Sequence, residues 1–558
     1  MQPWSQNYDP LASLTTAVPQ YLLSSLVAAI PLIVFFYLLA VKRKPGHKAA
    51  FVGTSLTFLL AVLVWDMPAP LAASATLMGA CFGLFPIIWI VVTAVWLYNM
   101  TVESGEFEII KDSLASLTDD RRLQAIFIAF AFGAFLEGTA GFGTPVAITA
   151  PMLVGLGFNP LYAAGICLIA NTAPVAFGAI GVPVVVAADV AKLDLMTVTK
   201  VVGRQLSLLA VFVPLWLCVT MCGLRKSLEV LPAILMAGLC YGLVQFLVAD
   251  FHGPYLPVVL ASAATLAGLV ILLRFWKPKS SWRFPGEPRA TTAGTAIAYT
   301  RRQILRAWSP YLVLAVLVFV WGLQGFKDVA SSTVMLIDWP GLHGMVMKTA
   351  PITAADVPYA ARYTFNLFTS GGTAILIAGL IGCCIIPGYG PVKALRCLAR
   401  TCHQLRFPIC TIVMILALAY IMNYSGMSST LGLACTKTGR LFPFFAPILG
   451  WIGVFLTGSD SSSNALFCGL QRTTAEAVGV NPYLTVGANS SGGAIAKMIS
   501  PQSISVATAS AGLADKEGVL FRLTFWHAVA MGLMMAIFTL LQAYWLEWTV
   551  PPYVPPGI

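Results

Sequence analysis

Two acidic residues stand where an acid is hard to keep. Glu137 lies in "GAFLEGTAGFGTP", residues 133 to 145, and Asp460 in "TGSDSSSNA", residues 457 to 465. Both stretches interrupt apolar runs with small and polar residues. A carboxyl group in such surroundings is costly to keep charged, so either acid is a candidate to carry a proton. Two cations sit comparably, Arg204 in "VVGRQL" and Lys497 in "AIAKMISP". Each is a candidate to meet the carboxylate of an anion. The alternatives are a permanent ion pair with one of the acids or, for Arg204, a side chain that stretches to the membrane surface. Neutral polar residues gather near the same breaks: Asn171 and Thr172, then Ser459, Ser461, Asn489, Ser490 and Ser491. Either they bind the carboxylate and hydroxyl of a small ligand, or they cap frayed helix ends. Tyr424, beside Ser425 in "NYSGMSS", belongs to a weaker polar cluster on a pathway wall.

The glycines of the first stretch read G-x-x-G-x-G, not G-x-G-x-x-G and not a Walker loop. No strand pattern precedes them, so a nucleotide loop is excluded. A broken helix inside a membrane is the better reading. Of 558 residues, 58% are hydrophobic and only 10% charged; soluble domains carry about 25% charged residues. Many apolar runs approach the roughly 20 residues a crossing needs. Non-helical backbone at that depth must be buried in protein or line a watery cavity. Half-helix N-termini there present free N–H groups that attract anions.

The amino terminus, "MQPWSQNYDP", lacks the basic start of a signal peptide, and the run from Tyr21 to Val41 reads as a first crossing. The net charge of +11 is concentrated in a few loops: "KRKPGHK", Arg225 and Lys226, the segment 276–306, and "VKALRCLARTCHQLR". The positive-inside rule puts these in the cytoplasm and accounts for the charge without nucleic acid. The amino terminus then lies outside, as does a polar loop from Lys327 to Thr369. Lys437 and Arg440 also fall outside, against that bias. Roughly 12 to 14 crossings are expected, with shorter broken segments. The twelve cysteines are scattered without metal or disulfide spacing, and no cofactor is expected.

The chain repeats itself. "GAFLEGTAG" overlies "GVFLTGSDS" at an offset of 453 − 133 = 320, and "NPLYAAGICLIANTAP" overlies "NPYLTVGANSSGGAIA" at 481 − 159 = 322. The expected topology enters the first copy from the cytoplasm and the second from outside, which makes the copies inverted, as in many secondary transporters. The fold expected is thus an all-α polytopic membrane protein with two inverted repeats containing broken or re-entrant helices. Scaffold helices occupy 1–121, the first repeat core 122–205, connecting and scaffold helices 206–406, the second core 407–524 and a C-terminal helix 525–558.

Several long segments agree in order with one family. "FGAFLEGTAGFGTPVAI", "GLGFNPLYAAGICLIANTAPVAFGA", "NYSGMSSTL", "GVFLTGSDSSSNALF" and "KMISPQSI" resemble the signatures of bacterial L-lactate permeases and their glycolate-permease relatives. The resemblance covers essentially the whole chain and is weakest in the 276–306 loop and the outer loop. It implies a symporter of the cytoplasmic membrane that takes up small 2-hydroxy monocarboxylates with protons. Thr139 and Thr144 stand where the family more often has alanine, and Ser461 where it often has threonine, which leaves the preferred substrate open.

Other function classes are weaker. A membrane enzyme needs a nucleophile–base pair or metal set, and the five histidines (His47, His252, His343, His403 and His527) fall in loops or at helix ends. A channel does not need inverted broken-helix repeats, whereas alternating access does. A coupling cation other than H⁺ is the closer alternative, because "SDSSSN" offers several oxygen ligands.

Overall fold

The computed structural model describes the chain except residues 1, 2, 13–19, 39–41, 43, 116, 140, 142, 143, 285–298, 354, 514, 515 and 555–558. Among the described residues ten helices are long and apolar enough to cross a membrane. Pro160–Ala170 and Val175–Ala191 make one more span, bent by 67°, and Leu22–Phe36, Pro145–Gly155 and Gly371–Ile385 are shorter apolar helices. Leu63, Leu243, Phe275 and Val316 point outward from their helices, as they do where the surrounding solvent is lipid. The chain is an all-α polytopic membrane protein.

Contacts sort the helix ends into two faces. On one, the fully buried Arg122 donates to the carbonyls of Lys226 (2.6 Å) and Ser280 (3.0 Å) and pairs with Asp120 (2.7 Å) and Glu229 (2.9 Å). A buried guanidinium is tolerated only when its donors are satisfied in this way. Arg306 pairs with Glu106 and Arg400 with Glu103, each at 2.8 Å. This face gathers the basic segments. Much of the 276–306 loop, residues 285–298, lies outside the described residues.

The opposite face holds a surprise. The stretch expected as a polar loop contains short strands: β2 (Met335–Asp338), β3 (Val346–Lys348), β4 (Val357–Pro358) and β5 (Arg362–Phe365), joined by β1 (Trp4–Ser5) from the amino terminus. β1 pairs in parallel with β3, β3 antiparallel with β4, and β2 antiparallel with β5. Strands of two to four residues are too short to show an alternating pattern. Their pairing ties the amino-terminal segment to the loop, and Gln6 Nε2 donates to the Tyr424 carbonyl at 2.8 Å.

Helices Gly133–Thr139 and Thr144–Gly155 form a hairpin entered from the basic face, where Phe158, at its exit, meets Phe284 edge-on at 5.3 Å. Pro160–Ala170 leads to a break, and Gly178–Ala191 continues to the strand-bearing face. There the Lys192 ammonium lies 3.3 Å from the Tyr420 hydroxyl. Phe442–Thr457 and Asp460–Val478 form a second hairpin, entered from the strand-bearing face. Arg472 in it donates to the Ala191 and Lys192 carbonyls (2.8 and 2.9 Å), and Asn481 at its exit to the Pro551 carbonyl (2.8 Å). Pro482–Ala496 then leads to a break at Lys497–Ile499, followed by Pro501–Ser510. Both helices that run into a break open on Asn-Pro. Asn159 caps the Leu161 N–H and Asn481 the Tyr483 N–H by the same i to i+2 bond.

Three expected boundaries, 205/206, 406/407 and 524/525, fall inside the helices Leu195–Leu228, Pro391–Ser425 and Glu517–Tyr544. His527 likewise lies within Glu517–Tyr544, accepting a hydrogen bond from Trp216 Nε1 at 3.0 Å.

The second hairpin packs on Pro482–Ala496 more closely than side chains permit. A β-carbon at Gly450 would fall 1.8 Å from the Asn489 carbonyl oxygen, and one at Gly492 2.0 Å from that of Pro447. Overpacking a core costs about 1–3 kcal/mol. Gly450→Ala is therefore expected to lower the melting temperature of the detergent-solubilised protein clearly. Gly155→Ala, whose added carbon meets nothing among the described residues, should leave it unchanged. Fluorescence-detected size exclusion after heating reads both.

Candidate functional site

A cavity of about 1350 Å³ runs from the basic face to the two breaks. Lys44, His47 and Lys48 line its mouth, and Glu137, Asp460 and Lys497 line its depth. The two acids that the sequence singles out therefore share one space.

Each acid stands in its own hairpin. Glu137, 2% exposed, ends the first arm of the first hairpin and accepts from Asn171 Nδ2 at 3.2 Å. Asn171 closes the helix Pro160–Ala170, so the break delivers it to the carboxylate. Asp460 opens the second arm of the second hairpin, two residues after Gly458, whose φ of 72° lets the chain reverse. Its Oδ2 accepts from Ser490 Oγ at 2.6 Å and from Asn464 Nδ2 at 3.5 Å, while Oδ1 has no partner among the described residues. Asn464 Nδ2 also donates to the Pro183 carbonyl at 3.0 Å, which joins the second hairpin to the helix Gly178–Ala191. Behind it, Asn489 donates to Asn464 (2.9 Å) and Gln471 to Asn489 (3.1 Å).

Two further groups face the cavity unpaired among the described residues. Lys497 follows the last residue of Pro482–Ala496 and bears electrostatically on Asp460, as does Glu137. Ser461 keeps a free hydroxyl one residue after Asp460. Ser459 also lines the cavity, but its Oγ caps the Ser462 N–H at 3.3 Å.

The remaining candidates stand back from the cavity. Asn171 and Ser490 reach it only through the carboxylates they bind. Thr172 is spent on the Ile169 carbonyl at 2.9 Å, Asn489 belongs to the buried amide chain, and Ser491 is buried with an unpartnered hydroxyl. Two candidates lie elsewhere in the fold. Arg204 pairs with Asp250 at 2.7 Å and donates to the Thr549 carbonyl at 2.6 Å, so its charge is used where the carboxy-terminal segment docks. Tyr424 lies at the strand-bearing face, donating to the Ala360 carbonyl at 3.2 Å. Asn464 and Gln471 were not singled out, although with Asp460 they stand four and eleven residues along one helix, which is one face. Ala140, Phe142 and Gly143 of the first break, and the side chain of Thr144, lie outside what is described.

A family model described as L-lactate permease matches residues 24–546. The chain belongs to that family. It is 46% identical to the L-lactate permease of Bacillus subtilis (strain 168), over 98% of this chain and all of that protein. It is also 46% identical to glycolate permease GlcA of Escherichia coli (strain K12), over 98% of this chain and 99% of that one. Against the L-lactate permease of the same E. coli strain the identity is 44%, over 99% and 100% of the two chains. As a member of a permease family the protein is a transporter and not an enzyme.

Two glycines leave the acids their room. A β-carbon at Gly178 would lie 2.7 Å from Glu137 Oε1, and one at Gly493 2.3 Å from Asp460 Oδ1. Gly178→Ala and Gly493→Ala should each reduce uptake of labelled L-lactate, the cargo in the relatives' names, by about tenfold or more, the effect of some 1.4 kcal/mol on the rate-limiting barrier. Uptake per folded molecule, normalised by size exclusion, makes the comparison. Wild-type rates in both variants would remove the acids from the transport step.

Proposed function

We propose that the protein is a secondary active transporter of the bacterial cytoplasmic membrane that imports small 2-hydroxy monocarboxylates, L-lactate, D-lactate and glycolate, together with protons. The observation that carries this reading is the charge count at the depth of the cavity: two carboxyls, Glu137 and Asp460, against one ammonium, Lys497. With all three ionised the site has a charge of −1 and repels an anion. A like charge about 4 Å away costs about 4 kcal/mol at an effective dielectric of about 20. One proton on either acid brings the site to neutrality and frees the Lys497 ammonium to hold the substrate carboxylate. The Ser461 hydroxyl lines the same cavity and serves the 2-hydroxyl. Proton and anion then bind as a pair, which is symport.

The relatives' names, lactate for some and glycolate for another, support the substrate class. The hairpins' entry from opposite faces and their matching order of elements support two inverted repeats and alternating access. The positive-inside rule makes the basic face cytoplasmic and the amino terminus periplasmic, so the cavity is that of an inward-open state. A rocking or elevator-like motion of the repeats against the scaffold is argued by analogy alone. Na⁺ is the competing coupling ion, since Asp460 Oδ1 and the Ser461 hydroxyl are free oxygen ligands.

Uptake of labelled L-lactate into proteoliposomes tests the reading. An inward proton gradient should drive accumulation, with competition by D-lactate and glycolate and little by acetate. Accumulation driven by Na⁺ and indifferent to pH would replace the proton. In Glu137→Gln or Asp460→Asn, at least one of the two should lose gradient-driven accumulation while retaining lactate exchange. If both lost exchange to the same degree as accumulation, the acids would be structural. Lys497→Gln should raise KM about tenfold or more, which is 1.4 kcal/mol of binding.

A further inference from the structure

The strand-bearing face has a cation that the transport site does not use. Lys348 ends β3, which is paired on both sides, with β1 and with β4. Its ammonium sits 4.1 Å from the centre of the Tyr359 ring. It has no carboxylate partner among the described residues. The charges facing it come from every element around. Arg472 and Glu476 lie on Asp460–Val478, Lys192 follows Gly178–Ala191, and Asp189, Tyr8 and Asp356 are near. Both nearest acids are already engaged. Glu476 pairs with Arg472 at 2.8 Å and accepts from Tyr553, and Asp189 pairs with Lys192 at 3.2 Å and accepts from Tyr420 at 2.5 Å. Arg472 and Lys192 are thus matched by these two carboxylates, Asp356 bears on Tyr8 and not on Lys348, and Lys348 is the cation left without an ion pair among the described residues.

An aromatic column runs inward from this point. Tyr359 stacks on Tyr424 at 4.4 Å, and Tyr424 meets Tyr420 at 6.2 Å. Tyr420 touches the end of the helix Gly178–Ala191, whose other end lies against Glu137. Lys348 thus stands where loop, scaffold and repeat cores converge, at the outer end of a line of side chains that leads to the transport site.

We infer that Lys348, with Tyr359 beneath it and Arg472 and Lys192 beside it, forms an outer-face capture site for small carboxylate anions, distinct from the cavity at the basic face. An arriving carboxylate pairs with the surplus ammonium and is held at the seam that must part when the core opens outward. The assignment of this face as outer rests on the function proposed above. Burial pushes the Lys348 ammonium down to about 8, helped by Arg472 and Lys192 and opposed by Glu476. Charge and capture are therefore present below that pH and fade as the pH rises through it.

Two experiments test the site. In intact cells, a membrane-impermeant succinimidyl ester should acylate Lys348. Lactate or glycolate should slow that reaction threefold or more, and equal chloride should not, with Lys437, an exposed lysine of the same chain, as the unprotected reference. In right-side-out vesicles, Lys348→Gln should raise the external KM about fivefold with kcat unchanged. Lys348→Arg should restore KM and abolish its rise above pH 8. Absence of protection, or an unchanged KM in Lys348→Gln, overturns the capture site while wild-type accumulation of lactate keeps the transport reading. Failure of wild-type accumulation overturns the transport reading, and the labelling arm then decides the capture site alone.

Discussion

Everything in this protein follows from one constraint: backbone that leaves the helix at membrane depth must find its partners inside the protein. Two helix pairs break there, and each break supplies what the other lacks. Asn464 of the second hairpin donates to the Pro183 carbonyl of the helix Gly178–Ala191, and Asn171 turns from the end of its own helix to Glu137. Ser459 and Ser500 cap the helices that restart after the breaks, donating nothing to lipid. The approach of backbones at Gly450 and Gly492 allows this density of polar bonds, because no side chain stands between the helices. An isolated broken hairpin would leave several groups unsatisfied, each costing on the order of 1–3 kcal/mol. Two broken hairpins set against each other leave very few.

The few that remain are informative. Asp460 Oδ1, Asn171 Oδ1 and the Ser491 hydroxyl have no partner among the described residues, and Lys497 and Ser461 turn unpaired groups toward the cavity. Buried Arg122, by contrast, is satisfied through four contacts. Buried unpartnered polar atoms also occur away from the cavity, at Gln245 and Trp451 for example, so those at the cavity are set apart by the two carboxyls and the ammonium around them.

Much of this was legible in the sequence, for a physical reason. A membrane chain has a strict rule about where polar residues sit, so Glu137, Asp460 and Lys497 stood out against apolar runs, and all three line one cavity. Asn159 and Asn481 marked the paired helix starts by their capping chemistry. Arg204 stood out equally, yet its partner Asp250 is 46 residues away and its second contact comes from the carboxy-terminal segment. Local sequence carries no trace of such long-range pairing. The position of Tyr424 was not legible for the same reason, because its helix runs from the basic face to the strand-bearing one and depth cannot be read from a polar cluster. The strands between Met335 and Phe365 were hidden by their shortness.

The position of the charges, more than their number, constrains how the transporter works. Glu137 and Asp460 belong to different hairpins, yet both face the same cavity with Lys497. A single cation cannot satisfy two acids at once, so on the proposed cycle its allegiance depends on which acid carries the proton. Movement of one repeat relative to the other changes the distances among all three groups together, because each is fixed to a helix end and not to a loose loop. Proton, anion and conformation are then linked by geometry alone. A substrate anion that pairs with Lys497 releases the hold of the carboxylates on it, and a carboxylate that loses its cation favours the proton more strongly in a low dielectric. On the proposed cycle the two ligands thereby assist each other at the cavity that both acids and Lys497 line.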